Sequence, residues 1–235
     1  MAAAHRCARH AAVPRRAPVT GRGASATDAP GAGRPRVAVV TGAGRGIGRG
    51  VFGMMKETAD FINQAAIEGS RLKLGFGESV GRALLAADCP NREMSLFASA
   101  YELGVQVTVH VGVGTDIVHM HPTADGSAIG DCSLRDFRIL IHAMRGLGGG
   151  GVLLNFGSAV IMPEVVLKAL TVLRNLDVSL EGFTSVNLDF LQHYRSTQQI
   201  VSRVKEVGGK GCSLTGHHEI MIPLLAAAVV DALGG

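Results

Sequence analysis

Residues 152–170 read VLLNFGSAVIMPEVVLKAL, and this stretch decides the fold. VLLNF is a short apolar run that ends at the turn Gly157-Ser158, as a buried strand does. Pro163 then opens a segment in which apolar residues return every three or four positions, which predicts an amphipathic helix. Strand, glycine turn and helix in this order form the repeating unit of an α/β protein.

The same alternation extends to both sides of this stretch. The β-branched run VQVTVHVGVGTD (105–116) and the run GFTSVNLDF (182–190) predict strands, and a short strand is expected at 212–215. Ser133 and Asp136 have the spacing of a capping box, which predicts a helix start between the first two strands. Helical periodicity predicts three earlier helices, at about 49–69, 78–87 and 93–103.

Strands that alternate with helices from residue 105 onward predict a Rossmann-like, mostly parallel sheet with helices on both faces. Ligands of such sheets bind beyond the carboxyl ends of the strands. Small, acidic, amide and imidazole side chains follow the predicted strands, so we expect the functional site at this edge. The residues concerned are Gly114, Thr115, Asp116, Gly157, Ser158, Asn187, Asp189, Gly216, His217, His218 and Glu219.

Charge is unevenly distributed along the 235 residues. Residues 1–50 hold nine arginines and one acidic residue, whereas the rest of the chain is mildly acidic. The basic segment is rich in Pro, Gly and Ala and has no aromatic residues, so we expect no nucleic-acid partner. Its composition predicts a disordered leader over residues 1–35. The apolar run 220–230 contains Pro223 and is too short to span a bilayer, so no membrane partner is expected.

A second glycine motif lies near the start of the chain. Residues 37–48, VAVVTGAGRGIG, resemble the T-G-x-x-x-G-I-G motif of short-chain dehydrogenases/reductases, over about 36–50. The family also carries a Tyr-x-x-x-Lys pair that protonates a carbonyl. Tyr101 is followed by ELGV and Tyr194 by RSTQ, so neither supplies the lysine. Because this pair is absent, NAD(P)-dependent dehydrogenase activity is kept only as an alternative to the function argued next.

Residues 52–233 resemble a largely uncharacterised bacterial and archaeal family similar to deoxyhypusine synthase. The resemblance rests on VTVHVGVGTDIVHMHP, LLNFGSAVIMPEVVLKAL, FTSVNLDFLQHYRS and TGHHEIMIPLLAAA. It implies an N-terminally truncated deoxyhypusine synthase-like domain over 51–235, preceded by a dehydrogenase-like strand and turn at 36–50. The synthase's W-G-K-I segment, whose lysine carries the reaction intermediate, is absent, so synthase activity is not expected.

The resemblance implies an NAD-like nucleotide as cofactor. It places the cofactor contacts at Gly114-Thr115-Asp116, Gly157-Ser158, Asn187 and Gly216, and we take His217, His218, Glu219 and Asp189 as catalytic candidates. Asp116 and Asp189 could instead cap turns or helices. Whether the chain is an enzyme stays open, and a third hypothesis is a catalytically empty fragment that acts only by assembly.

The histidines raise the possibility of a metal ion. His119, His121 and His217-His218-Glu219 offer imidazole and carboxylate ligands, but no spacing such as H-E-x-x-H fixes a site, and we assign no metal. Contacts to a ligand and structural hydrogen bonds are the alternatives. The missing family N-terminus predicts uncovered surface and hence a homo-oligomer. The absence of C-x-x-C pairs favours a reducing compartment, and we expect the cytoplasm.

Overall fold

The structure is a computed structural model that describes residues 37–41, 55–87, 89 and 91–234. These residues divide into two compact units. The helical unit holds residues up to Asp136, and the sheet unit holds 37–41 together with the chain from Phe137 onward. The predicted leader and the glycine turn of the dehydrogenase-like motif lie outside the described residues.

The sheet unit contains four parallel strands in the order of the sequence. They are β1 (Val37–Thr41), β2 (Val152–Phe156), β3 (Thr184–Asp189) and β4 (Lys210–Thr215). The prediction of a mixed α/β protein with a parallel sheet is therefore confirmed. The segment that resembles a dehydrogenase supplies β1, which lies beside β2.

A helical connection follows each of the last three strands. Helix α5 (Ile161–Asn175) follows β2 and begins two residues before Pro163, so the proline occupies the first helical turn. Between β3 and β4 the chain forms one helical segment, 194–207, with α-helical, π-helical and 3-10 turns in succession. The last helix, α6 (His218–Ala232), follows β4.

One face of the sheet carries the main core. Leu153 and Phe183 pack there against α5 and the 194–207 segment. These two connections share that face because the strand order does not reverse between β2 and β4, and right-handed crossovers then stay on one side. The buried core residues are Leu140, Met144, Leu147, Leu153, Met162, Val166, Ala169, Leu170, Leu173, Leu180, Phe183, Ile200 and Val204.

The opposite face of the sheet is more thinly covered. Helix α6 reaches it through His218, whose ring lies edge-on to Phe156 with centroids 6.4 Å apart. No residue of α6 is buried. Among the described residues, no helix combines the length and the apolar composition needed to cross a membrane.

The helical unit has a smaller core, which centres on Ala66, Phe76, Ile129 and Cys132. Its first three helices confirm the predicted periodic segments: the segment predicted at 49–69 is helical from Lys56, with residues 49–54 outside the described ones, and the other two differ by at most three residues at their ends. The helices of this unit are α1 (Lys56–Leu72), α2 (Phe76–Ala86), α3 (Leu96–Glu102) and the first part of α4 (Gly126–Met144), with 3-10 turns at Arg92–Met94 and Ile117–Met120.

The prediction of a strand at 105–116 is wrong. Residues 105–112 have no regular secondary structure, although their composition is that of a strand. Side chains of α4 provide the hydrogen bonds that a neighbouring strand would otherwise provide. The Val109 N–H donates to Asp136 Oδ2 (2.8 Å), and the Val111 N–H donates to Ser133 Oγ (3.1 Å), which in turn donates to the Val109 carbonyl (3.1 Å).

The predicted capping box is also wrong, because Ser133 and Asp136 lie well inside α4 rather than at its start. The helix begins at Gly126, where Asp125 Oδ1 accepts from the N–H groups of Ser127 and Ala128. This arrangement is an N-cap eight residues earlier than expected. The spacing of Ser133 and Asp136 is the same in a capping box and on a polar helix face that binds another segment, so the sequence could not distinguish the two.

Candidate functional site

The carboxyl ends of β2 and β3 carry a pair of buried asparagines. Asn155 and Asn187 are register partners on adjacent strands, and each is at most 1% exposed. Asn155 Nδ2 donates to Asn187 Oδ1 (2.6 Å) and to the Ser158 carbonyl (3.0 Å). The sequence analysis found Asn187 but missed Asn155, because an asparagine inside VLLNF carries no local sign of its partner.

The asparagines form part of a chain of amides that runs across three strand ends. Asn187 Nδ2 donates to Gln192 Oε1 (2.7 Å), and Gln192 Nε2 donates to the Leu214 carbonyl (3.2 Å). The carbonyl oxygens of Ser158 and Leu214 can only accept, so both ends of the chain fix the orientation of every amide between them. Asn155 Oδ1 is left buried without a hydrogen-bond partner among the described residues.

Ser158 has a structural role at this edge. Its Oγ accepts from the Met162 N–H (3.1 Å) in the first turn of α5, and its carbonyl accepts from Ser196 Oγ (2.9 Å) as well as from Asn155. Ser196 is fully buried and was not predicted from the sequence. The Ser158 hydroxyl is therefore engaged by the fold, whereas a nucleophile needs a neighbouring base.

Asp189 and His218 form the second polar group at this edge. Asp189 ends β3 and its side chain is 6% exposed, whereas the His218 side chain at the start of α6 is 29% exposed. His218 Nε2 lies 3.8 Å from Asp189 Oδ1, and His218 Nδ1 is buried with no partner among the described residues. The imidazole is thus the more exposed member of this pair.

Gly157 makes room for that imidazole. A Cβ at Gly157 would lie 3.0 Å from His218 Nε2, and the residue has φ +63°, which L side chains rarely adopt. The predicted turn at Gly157-Ser158 is present directly after β2. The sequence could predict this turn but not the imidazole above it.

The remaining predicted residues of this edge lie nearer the surface. The His217 ring stacks on the ring of Phe190, with centroids 6.0 Å apart and an interplanar angle of 7°, and both residues are exposed. Gly216 contacts Met221, since a Cβ there would lie 2.6 Å from its Sδ. Glu219 is exposed in the first turn of α6.

The structure places Gly114, Thr115 and Asp116 in the helical unit. They occupy a turn that follows no strand, so the reason for grouping them with a sheet edge no longer holds. The N–H groups of Gly114 and Asp116 both donate to His119 Nδ1, at 3.0 and 3.2 Å. These bonds fix the tautomer of His119 and stabilise the start of the 3-10 turn at Ile117–Met120.

The histidine and acidic residues do not assemble into a metal centre in the described part of the chain, where no group of three or more potential ligands occurs. Comparison with known proteins adds no assignment, since no family model, curated protein or solved structure matches this chain.

Proposed function

We propose that the sheet unit binds a small molecule, of the NAD-like nucleotide class, at the carboxyl ends of β2, β3 and β4. The single observation that carries the proposal is the imidazole of His218, which is supported by the buried Asp189 carboxylate and stands toward solvent above Gly157. A deoxyhypusine synthase-like, Rossmann-like arrangement, as implied by the sequence resemblance, would place a ligand at this edge.

The residues at this edge fit parts of such a nucleotide. A carboxylate beside an imidazole suits ribose hydroxyls, which donate to the one and accept from the other. The exposed, stacked rings of Phe190 and His217 offer an aromatic face to a base. When bound, a nicotinamide dinucleotide supplies a hydride acceptor, and the chain's own contribution is to hold it and to move a proton at His218.

Asp189 is in this proposal a positioning residue. Its Oδ1, the oxygen that faces His218, also accepts weakly from the Leu191 N–H (3.5 Å). The carboxylate lies 3.8 Å from the imidazole Nε2, close enough to help orient the ring. The lack of the synthase lysine argues against the synthase reaction at this pair.

Calorimetry with NAD, NADP and FAD tests the proposal, preceded by a thermal-shift screen with the same compounds and divalent metals. We expect Asp189→Asn and His218→Gln each to weaken binding by about 1–3 kcal/mol, the usual loss for a charged hydrogen-bond partner. His142→Gln, which changes an exposed histidine of α4, is the matched control and should bind as the parent chain does. Unchanged affinity in both site variants would refute the proposed site.

A second candidate is a dehydrogenase-type phosphate site at the glycine turn after β1. It is favoured by one observation: β1 is parallel to β2, so its carboxyl end lies at the same edge of the sheet. Gly46→Ala should then abolish dinucleotide binding, whereas Asp189→Asn should leave it intact. Asp116→Ala tests in the same titration whether the turn in the helical unit contributes, as the resemblance implies.

If no compound in the screen raises the melting temperature, the third hypothesis is favoured, in which the chain acts by assembly alone. A ligand present at a hundred times its dissociation constant should add about 2.7 kcal/mol of stability, which such a screen readily detects.

A further inference from the structure

Two exposed rings, those of Phe190 and His217, meet at the candidate site although they lie on different connections. Phe190 directly follows β3 and is 63% exposed, and His217 lies two residues beyond the end of β4. Their stacked contact is weak, because both rings remain open to solvent and bury little apolar area. The backbone of the two connections must therefore be held in place by other contacts.

Gln192 makes several of these contacts. It is half-buried in the connection after β3, and its Nε2 donates to the Leu214 carbonyl (3.2 Å) and to Thr215 Oγ1 (3.3 Å) at the end of β4. The same Nε2 donates to the Asp189 carbonyl (3.3 Å), which ties the connection back to β3. The Gly216 N–H adds a hydrogen bond to that carbonyl (3.3 Å). Gln192 thus joins the ends of β3 and β4 through its side chain.

The orientation of the Gln192 amide is fixed from β3. Its Oε1 accepts from Asn187 Nδ2 (2.7 Å), and Asn187 Oδ1 in turn accepts from Asn155 Nδ2. An amide turned the other way would direct its NH₂ at that of Asn187 and its oxygen at the Leu214 carbonyl. Two buried asparagines therefore hold Gln192 in the one orientation that donates to β4.

We infer that Gln192 is a positioning residue for the candidate site. It fixes the ends of β3 and β4 relative to each other, and it thereby holds Phe190 and His217 stacked as one preformed aromatic face. A ligand that meets a preformed face does not have to order the two rings as it binds, so it binds more tightly. The inference rests on the proposed function in one respect, namely that this face contacts the base of a nucleotide.

The chemical shifts of the His217 ring protons test this role without any ligand. A proton over the face of Phe190 is shifted upfield by the ring current, so these resonances report whether the rings stack. Gln192→Met keeps the length of the side chain without the amide. Gln192→Asn keeps the amide but is one methylene too short to bridge the ends of β3 and β4. We expect both variants to move the His217 resonances downfield, toward those of the exposed His142.

Two controls make the shift interpretable. Phe190→Leu removes the ring and defines the resonance positions of an unstacked His217. Gln106→Met changes an exposed glutamine of the helical unit and should leave the His217 resonances where they are. A purely structural role for Gln192 would lower the melting temperature of its variants but would not move the His217 resonances of the folded protein.

Calorimetry with NAD then tests whether the position of the rings matters to a ligand. Gln192→Met should raise the dissociation constant about two- to tenfold, because the two rings would have to be ordered on binding. Gln106→Met should bind NAD as the parent chain does.

The inference is overturned if the His217 resonances stay in place in both Gln192 variants, or if Phe190→Leu itself does not move them. It is also overturned if the resonances move but the affinity for NAD does not change, since the rings would then not serve the ligand. If the parent chain does not bind NAD, the proposed function fails by that result, and the resonances alone decide whether Gln192 positions the two rings.

Discussion

At the scale of single residues, Asp136 and His110 have opposite effects on the pH dependence of stability. Burial raises the pKa of Asp136 to about 6, although the N–H groups of Val109 and Gly77 favour its charged form. Burial lowers the pKa of His110 to about 4. Acidification therefore favours the folded state through Asp136, which takes up a proton more readily when folded, and disfavours it through His110.

We expect these two effects to offset each other only in part in the parent chain, with the effect of His110 the larger. From pH 7 to pH 5, Asp136 should add about 1 kcal/mol to the free energy of unfolding and His110 should remove about 2 kcal/mol. Asp136→Asn should therefore make stability fall more steeply on acidification, and His110→Gln should make it rise. Urea unfolding at pH 7, 6 and 5 measures both slopes. Parallel curves for the parent and both variants would contradict the assignment.

At the scale of elements, close approach between α2 and the 105–112 segment depends on a glycine. A Cβ at Gly77 would lie 2.0 Å from the Val107 carbonyl oxygen, so the helix and the segment would have to separate. Gly130, in α4, has no atom within 4 Å of an added Cβ. The two positions therefore provide a matched pair within the helical unit.

Gly77→Ala should lower the free energy of unfolding by about 1–3 kcal/mol, because the steric cost exceeds the gain in helix propensity. Gly130→Ala should raise it by up to about 1 kcal/mol, since alanine favours a helix and nothing opposes it. Thermal and urea unfolding of both variants provide the measurement. A stabilising Gly77→Ala would mean that the 105–112 segment does not contact α2 as described.

The strands show what local sequence can predict. VLLNF, SVNLD and the run at 212–215 are strands, as their short runs next to glycine-containing turns predict. VQVTV has the same pattern but not the same outcome, because Asp136 and Ser133 of α4 satisfy its backbone instead. Which group will satisfy a backbone N–H is decided by residues far along the chain, and a window of ten residues does not contain them.

In the candidate site too, local sequence predicts the residues at strand ends but not the partners that they meet in space. Gly157, Asn187, Asp189 and His218 were predicted because each follows or ends a strand. Asn155, Gln192 and Ser196 were not, because their roles arise only when three strand ends meet in space.

At the scale of the whole molecule, stepwise truncation of the N-terminus tests how much β1 contributes to the stability of the sheet. The segment 1–35, outside the described residues, is predicted from its composition to be dispensable. A chain that begins at residue 36 should therefore keep the melting temperature of the full chain, whereas one that begins at residue 42 lacks β1, leaves the edge of β2 unpaired and should melt several degrees lower. Equal melting temperatures for all three chains would mean that β1 contributes nothing to the sheet.

Because β1 pairs with β2, it must wait for its partner strand during synthesis of the chain. About 110 residues separate the two strands, and at about 5–20 residues per second a ribosome needs roughly 5–20 s to make them. β2, β3 and β4 emerge close together and can pair as they appear, whereas VAVVT leaves the ribosome first and waits for a partner. During that interval the nascent chain exposes an apolar strand with no sheet to join, and this is when we expect a chaperone to bind it.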